Sequence, residues 1–101
     1  MVYYVSHCYQ GKTENLEKAK KITRDLQVKD PENCYICPLL TFSHLQYNEL
    51  GYEQEMDLCL DLLSICDTLI VASEPSESVG VKREIAFAEL VGMGVVYLEQ
   101  S

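Results

Sequence analysis

Four short apolar runs are separated by stretches of helical periodicity, and this alternation constrains the fold more than any other feature of the chain. The runs are Val2–Val5, Cys34–Leu40, Thr68–Ser73 and Val95–Leu98. Between the first two, Leu16, Ala19, Ile22, Thr23 and Leu26 recur on one helical face, with Thr13 as the predicted N-cap. Glu14–Lys18 and Glu17–Lys21 stand four apart in the favourable order on the solvated side. Asp30-Pro31-Glu32-Asn33 predicts the turn that closes this unit. A second helix is predicted from about Glu53 to Cys66, with Met56, Cys59, Leu60 and Leu63 facing inward. A third runs from Val81 to Val91 and ends at Gly92-Met93-Gly94. Pro38 cannot donate to a sheet ladder, so the tail of the second strand is expected to leave the sheet there. Thr41 to Gly51 reads as a loop, unusually rich in hydrogen-bonding side chains for a connector.

Strands that alternate with helices build a parallel sheet covered on both faces. The expected fold is therefore α/β, a three-layer flavodoxin-like or Rossmann-like domain with a four-stranded parallel sheet in the order 2-1-3-4. At 101 residues the whole chain is read as one domain. Ligands of such sheets bind beyond the carboxyl ends of the strands at the switch point, here between strands one and three. The loops Ser6–Lys12 and Ser73–Gly80 both open there.

The formal charge of −8 argues against a nucleic-acid polymer as partner, because phosphate binding needs clustered Lys and Arg. Five of the eight basic residues fall between Lys12 and Arg24, on what reads as one solvated helix face. No apolar run has the length of a membrane span. Met1-Val2-Tyr3-Tyr4-Val5 has no basic leader segment, so a cytoplasmic location is expected. The five cysteines are odd in number and lack a disulfide-framework pattern. Alternation along a strand sends Cys34 and Cys37 to opposite faces, so reduced structural thiols are expected rather than a metal or redox pair. No metal and no cofactor are predicted.

Ser78-Val79-Gly80-Val81-Lys82-Arg83-Glu84 carries the strongest chemical signal. It follows a buried strand and opens a helix whose inward stripe includes Val81, Ile85 and Ala88. Glu84 falls on that stripe, where a carboxylate is costly unless compensated. It is thus either a satisfied structural group or a reactive one at the mouth of a cleft. Ser78 and the amides of Gly80, Val81 and Lys82 lie at the helix N-terminus, a favourable place for a phosphate or carboxylate. Other constellations are weaker. Ser6 to Thr13 differs from the P-loop GxxxxGK[ST] by its first residue, and no aspartate ends a later apolar strand to hold magnesium. Asp57 and Asp61 share a helix face without a partnering histidine, and read as solvated. His7 belongs to the loop at the sheet mouth and His44 to the polar loop after strand two.

The strand, the Ser-x-Gly-x-x-x-Glu turn and the helix beginning at the glutamate resemble the nucleoside 2-deoxyribosyltransferase-like superfamily, with Ser78, Gly80 and Glu84 in its motif positions. Serine in the first slot is more similar to the deoxynucleoside monophosphate N-glycosidase branch. A closer resemblance is to an uncharacterised family of small phage and bacterial proteins, followed through Tyr4-Val5-Ser6, Pro38-Leu39-Leu40, His44, Cys66-Asp67-Thr68-Leu69 and Glu77 to Glu84. The resemblance implies a nucleoside 2-deoxyribosyltransferase or deoxynucleoside monophosphate N-glycosidase with Glu84 as nucleophile, oriented by Tyr4. It implies a nucleoside or nucleotide held by Ser6, His7, Ser78, Gly80 and Lys82, and a homodimer or higher homo-oligomer. Where that pattern carries an acidic residue, about eight positions before Asp67, this chain has Cys59. That replacement favours the alternative, a non-catalytic nucleotide-binding module on the same fold.

Overall fold

The computed structural model describes residues 1–98. The sheet is parallel throughout in the order β2-β1-β3-β4, with β1 at Val2–Ser6, β2 at Cys34–Ile36, β3 at Thr68–Val71 and β4 at Gly94–Tyr97. The fold is the flavodoxin-like/Rossmann-like α/β arrangement expected from the sequence. β1 lies between β2 and β3, with Tyr4 opposite Ile36 on one side and Leu69 on the other.

The period of two along the strands splits the core into two halves. Tyr4, Leu69 and Val71 point to one face and pack with Leu63 of α3 (Tyr52–Ser64) and with Val81 and Ala88 of α4 (Val79–Leu90). Val5 and Ala72 point to the other face, against Ala19 of α1 (Thr13–Lys29) and Cys37. The same alternation places Tyr4 and Ser6, two residues apart on β1, on the α4 side of the sheet.

Three local details differ from the sequence expectation. Lys12, not Thr13, occupies the N-cap of α1, and no side chain caps that helix. The second strand stops at Ile36, and Pro38 opens a short helix, α2 (Pro38–Thr41), instead of merely loosening a strand tail. The physical reason is that proline suits the first turn of a helix, where its missing N–H would have no partner anyway. The third helix of the sequence reading starts earlier, at Val79, because Ser78 is its N-cap: the Ser78 hydroxyl accepts a bond from Val81 N–H at 3.2 Å.

Asp67, just before β3, fixes the foot of the central strand. Its carboxylate accepts from Val2 N–H at 2.7 Å, while its own N–H donates to the Val2 carbonyl at 2.8 Å. At the other end, Ser73 Oγ accepts from Cys8 N–H at 2.9 Å and so ties together the two loops that leave the sheet mouth. Cys34 on β2 is exposed, Cys37 lies past the end of that strand as the N-cap of α2 and is buried, and all five thiols are free. Among the described residues, no helix is long and apolar enough to cross a membrane.

Candidate functional site

Glu84 is the charged member of the buried α4 stripe formed with Val81 and Ala88, at 5% exposure. The face of β1 that α4 covers supplies its two partners. Ser6 Oγ donates to Glu84 Oε1 at 2.7 Å, and the Tyr4 hydroxyl donates to Oε2. Both hydroxyls are themselves fully buried. The carboxyl is therefore satisfied by two neutral donors, with no cation paired to it among the described residues.

The electrostatics follow from that environment. Burial pushes the Glu84 carboxyl up and the bonds from Tyr4 and Ser6 pull it part of the way back, which leaves it raised from 4.5 to about 7. Close to neutrality it can thus exist in either form. Burial, and then the neighbouring Glu84 charge, hold the Tyr4 phenol well above its usual 10, so Tyr4 remains a donor. Cys59 is pushed up to about 12, first by burial and then by the Glu84 charge, and stays a neutral thiol.

Glu84 forms the floor of a cleft of about 350 Å³ above the β1–β3 junction. From the loop after β1 come His7, Tyr9 and Gln10; from the turn into α4 come Glu77, Ser78, Val79 and Gly80. The Gln10 side-chain amide donates to the Glu77 carbonyl and bridges those two walls. His7 Nδ1 lies 2.8 Å from the Cys8 carbonyl, which can only accept, so Nδ1 carries a proton and donates to it. Met56 and Cys59 of α3 form the third wall.

Six of the seven residues singled out in the sequence come together here: Tyr4, Ser6, His7, Ser78, Gly80 and Glu84. Lys82 does not. It is exposed on α4 and does not line the cleft. An added Cβ on Gly80 would meet nothing closer than 3.7 Å, so the protein itself leaves room for one. Ser6 ends β1 with its hydroxyl committed to Glu84, which is not the place of a P-loop's first residue. Asp57, Asp61 and His44 are exposed and line no part of the cleft. Among the described residues, no group of three potential ligands could hold a metal.

Sequence reasoning missed Tyr9, Tyr47 and Glu55. Tyr47 belongs to the polar loop after α2, which folds back over the β1–α1 turn until its ring meets Tyr9 edge-on, centroids 5.4 Å apart. Gly11 permits that approach: it has φ +69°, and a Cβ there would stand 3.1 Å from the Tyr47 ring. Glu55 lines the cleft one helical turn before Cys59. Its spacing from Cys59, four residues on an inward stripe, was the available signal.

The model of a family described as a domain of unknown function, DUF4406, matches residues 1–97, and the chain belongs to that family. The match takes in every strand and helix described above and hence every residue of the cleft. No curated protein and no solved structure matches the chain.

Proposed function

We propose that this DUF4406 protein holds a deoxynucleoside or its monophosphate in the cleft and cleaves or transfers the N-glycosidic bond through Glu84. The observation that carries the reading is a nearly inaccessible carboxylate on the cleft floor, aimed by two buried hydroxyls and, among the described residues, paired with no cation. An ion pair would lower its nucleophilicity; Tyr4 and Ser6 orient it with far less neutralisation. The helix N-terminus capped by Ser78 opens into the same cleft and suits a phosphate.

In the proposed reaction a Glu84 oxygen attacks C1′ of the deoxyribosyl group. The C1′–N bond breaks, its electron pair leaves with the base, and a glycosyl ester with Glu84 results. Water or a second base then attacks C1′, the C1′–O bond to Glu84 breaks and the carboxylate is restored; the proton lost by the attacking water or base balances the one taken up by the departed base. Because the attacking form is the ionised one and the carboxyl lies at about 7, the rate is expected to rise with pH through neutrality.

The five free thiols support a reducing, cytoplasmic setting. The exposed apolar side chains Ile65, Leu90 and Val91 support a homo-oligomer.

Cys59 favours a second reading. Its neutral thiol stands beside Tyr4 and fills the position at which the resembled superfamily carries an acid that binds the sugar or protonates the leaving base, which suits a module that binds a nucleotide without cleaving it. Incubation with deoxynucleoside monophosphates, followed by chromatography for free base, separates the two. Base release by the wild type that disappears in Glu84→Gln supports the enzyme. Binding with no release, unchanged by that substitution, refutes it.

A further inference from the structure

The cleft does not end at Cys59. Beyond it lies a smaller adjoining pocket of about 120 Å³, and Tyr9, Tyr47, Cys59 and Glu55 belong to the walls of both. Pro38 and Leu39 are shared as well, and the inner walls are mainly apolar, with Leu16, Phe42, Leu45 and Leu58 joined by the uncharged polar side chains of Ser43 and Gln46. A space this size is well below the roughly 300–1,000 Å³ of a pocket for a whole drug-sized ligand, and suits one flat ring system. Glu55 is the one carboxylate on those walls. Its Oε2 accepts from Leu50 N–H at 3.0 Å, which fixes the group in place. Oε1 takes no hydrogen bond and no cation pairs with Glu55 among the described residues.

We infer that this pocket takes the base of the ligand and that Glu55 selects bases bearing an amino group. The inference rests on the nucleotide reading of the Glu84 cleft and adds to it a class of base. An anchored carboxylate with one free oxygen can only accept. Guanine, adenine and cytosine each offer an exocyclic amino donor. Thymine offers one ring N–H between two carbonyls, whose lone pairs face the carboxylate on either side. A site built to accept a hydrogen bond discriminates strongly against a ligand that lacks the donor, because the site's own polar group is then left unpaired. Tyr9 and Tyr47 bring large ring surfaces to the pocket mouth and favour any flat heterocycle; Glu55, the one charged group of the pocket lining, separates the heterocycles that offer an amino donor from the one that does not.

Calorimetric titration of the Glu84→Gln protein, which lacks the nucleophile, tests this with dGMP, dAMP, dCMP and dTMP. The three amino-bearing nucleotides are expected to bind roughly tenfold or more tightly than dTMP. Adding Glu55→Ala should bring all four within about threefold of one another. Adding Glu55→Gln, of the same shape but with a donor, should improve dTMP relative to the others. A preference that survives both Glu55 substitutions, or equal binding of all four nucleotides before them, overturns the role of Glu55 and leaves the nucleotide site standing. If none of the four binds, the nucleotide reading falls, and this inference with it.

Discussion

Replacing Glu84 with glutamine should make the protein more stable at alkaline pH and remove a specific pH dependence. The folded chain holds the Glu84 proton to about pH 7, whereas a carboxyl freed by unfolding releases it near 4.5. Between those values the native state binds more protons than the unfolded one, so stability must fall as pH rises. Stability from this group is complete below about 4.5 and gone above about 7. At about 1.4 kcal/mol per pH unit, the loss across the window is on the order of 3 kcal/mol. Glutamine keeps the shape and cannot ionise, but its amide must face one of the two hydroxyls with a donor, at a cost of about 1 kcal/mol. The variant should therefore be less stable than wild type by about 1 kcal/mol at pH 4.5 and more stable by about 2 kcal/mol at pH 8. The Asp25 carboxyl, held low by Lys21 and Arg24, and that of Asp30, held low by Asn33 and Tyr35, act below this window. Urea unfolding followed by far-ultraviolet circular dichroism at several pH values measures both proteins directly. A wild-type stability that is flat or rising from pH 4.5 to 7.5, or a variant with the wild-type slope, would refute the reasoning.

Two further substitutions probe the same construction. Tyr4→Phe removes the donor to Oε2 and leaves Ser6 alone, so the carboxyl should titrate above 7 and stability at pH 8 should drop by about 1.5–3 kcal/mol, read by the same unfolding series. Gly11→Ala places a Cβ against the Tyr47 ring at a left-handed backbone position, and should cost about 1–2 kcal/mol while displacing Tyr47 from the cleft. Near-ultraviolet circular dichroism should show the change in tyrosine environment.

The sheet order was legible because each strand carried its own apolar run and each crossover its own helical stripe. Glu84 was legible for a related reason: a carboxylate on the inward stripe of a helix breaks the pattern around it. Its bond to Ser6 was not, since it depends on how far β1 runs past its last pair with β2, Tyr4 with Ile36, to reach the pair of Ser6 with Val71 of β3. Pro38 carried two meanings, strand end and helix start, and only the packing of α2 against β1 and α1 chose between them. The Tyr9–Tyr47 contact lay furthest from view. It is set by left-handed backbone at Gln10, Gly11 and Asn48, and by a loop whose path is decided by tertiary contact rather than by periodicity.

The origins of the two halves of the cleft have a consequence for how such a protein can change. The floor belongs to the central strand and to a helix fixed on it, where any shift in Tyr4, Ser6 or Glu84 disturbs the core. Much of the far wall belongs to the stretch from Phe42 to Asn48, which lies outside the sheet and the long helices. That stretch can lengthen, shorten or exchange side chains while the fold stays intact. One carboxylate floor could therefore be inherited unaltered by relatives that differ in the molecules they admit, with new preferences arising by drift in a single surface loop.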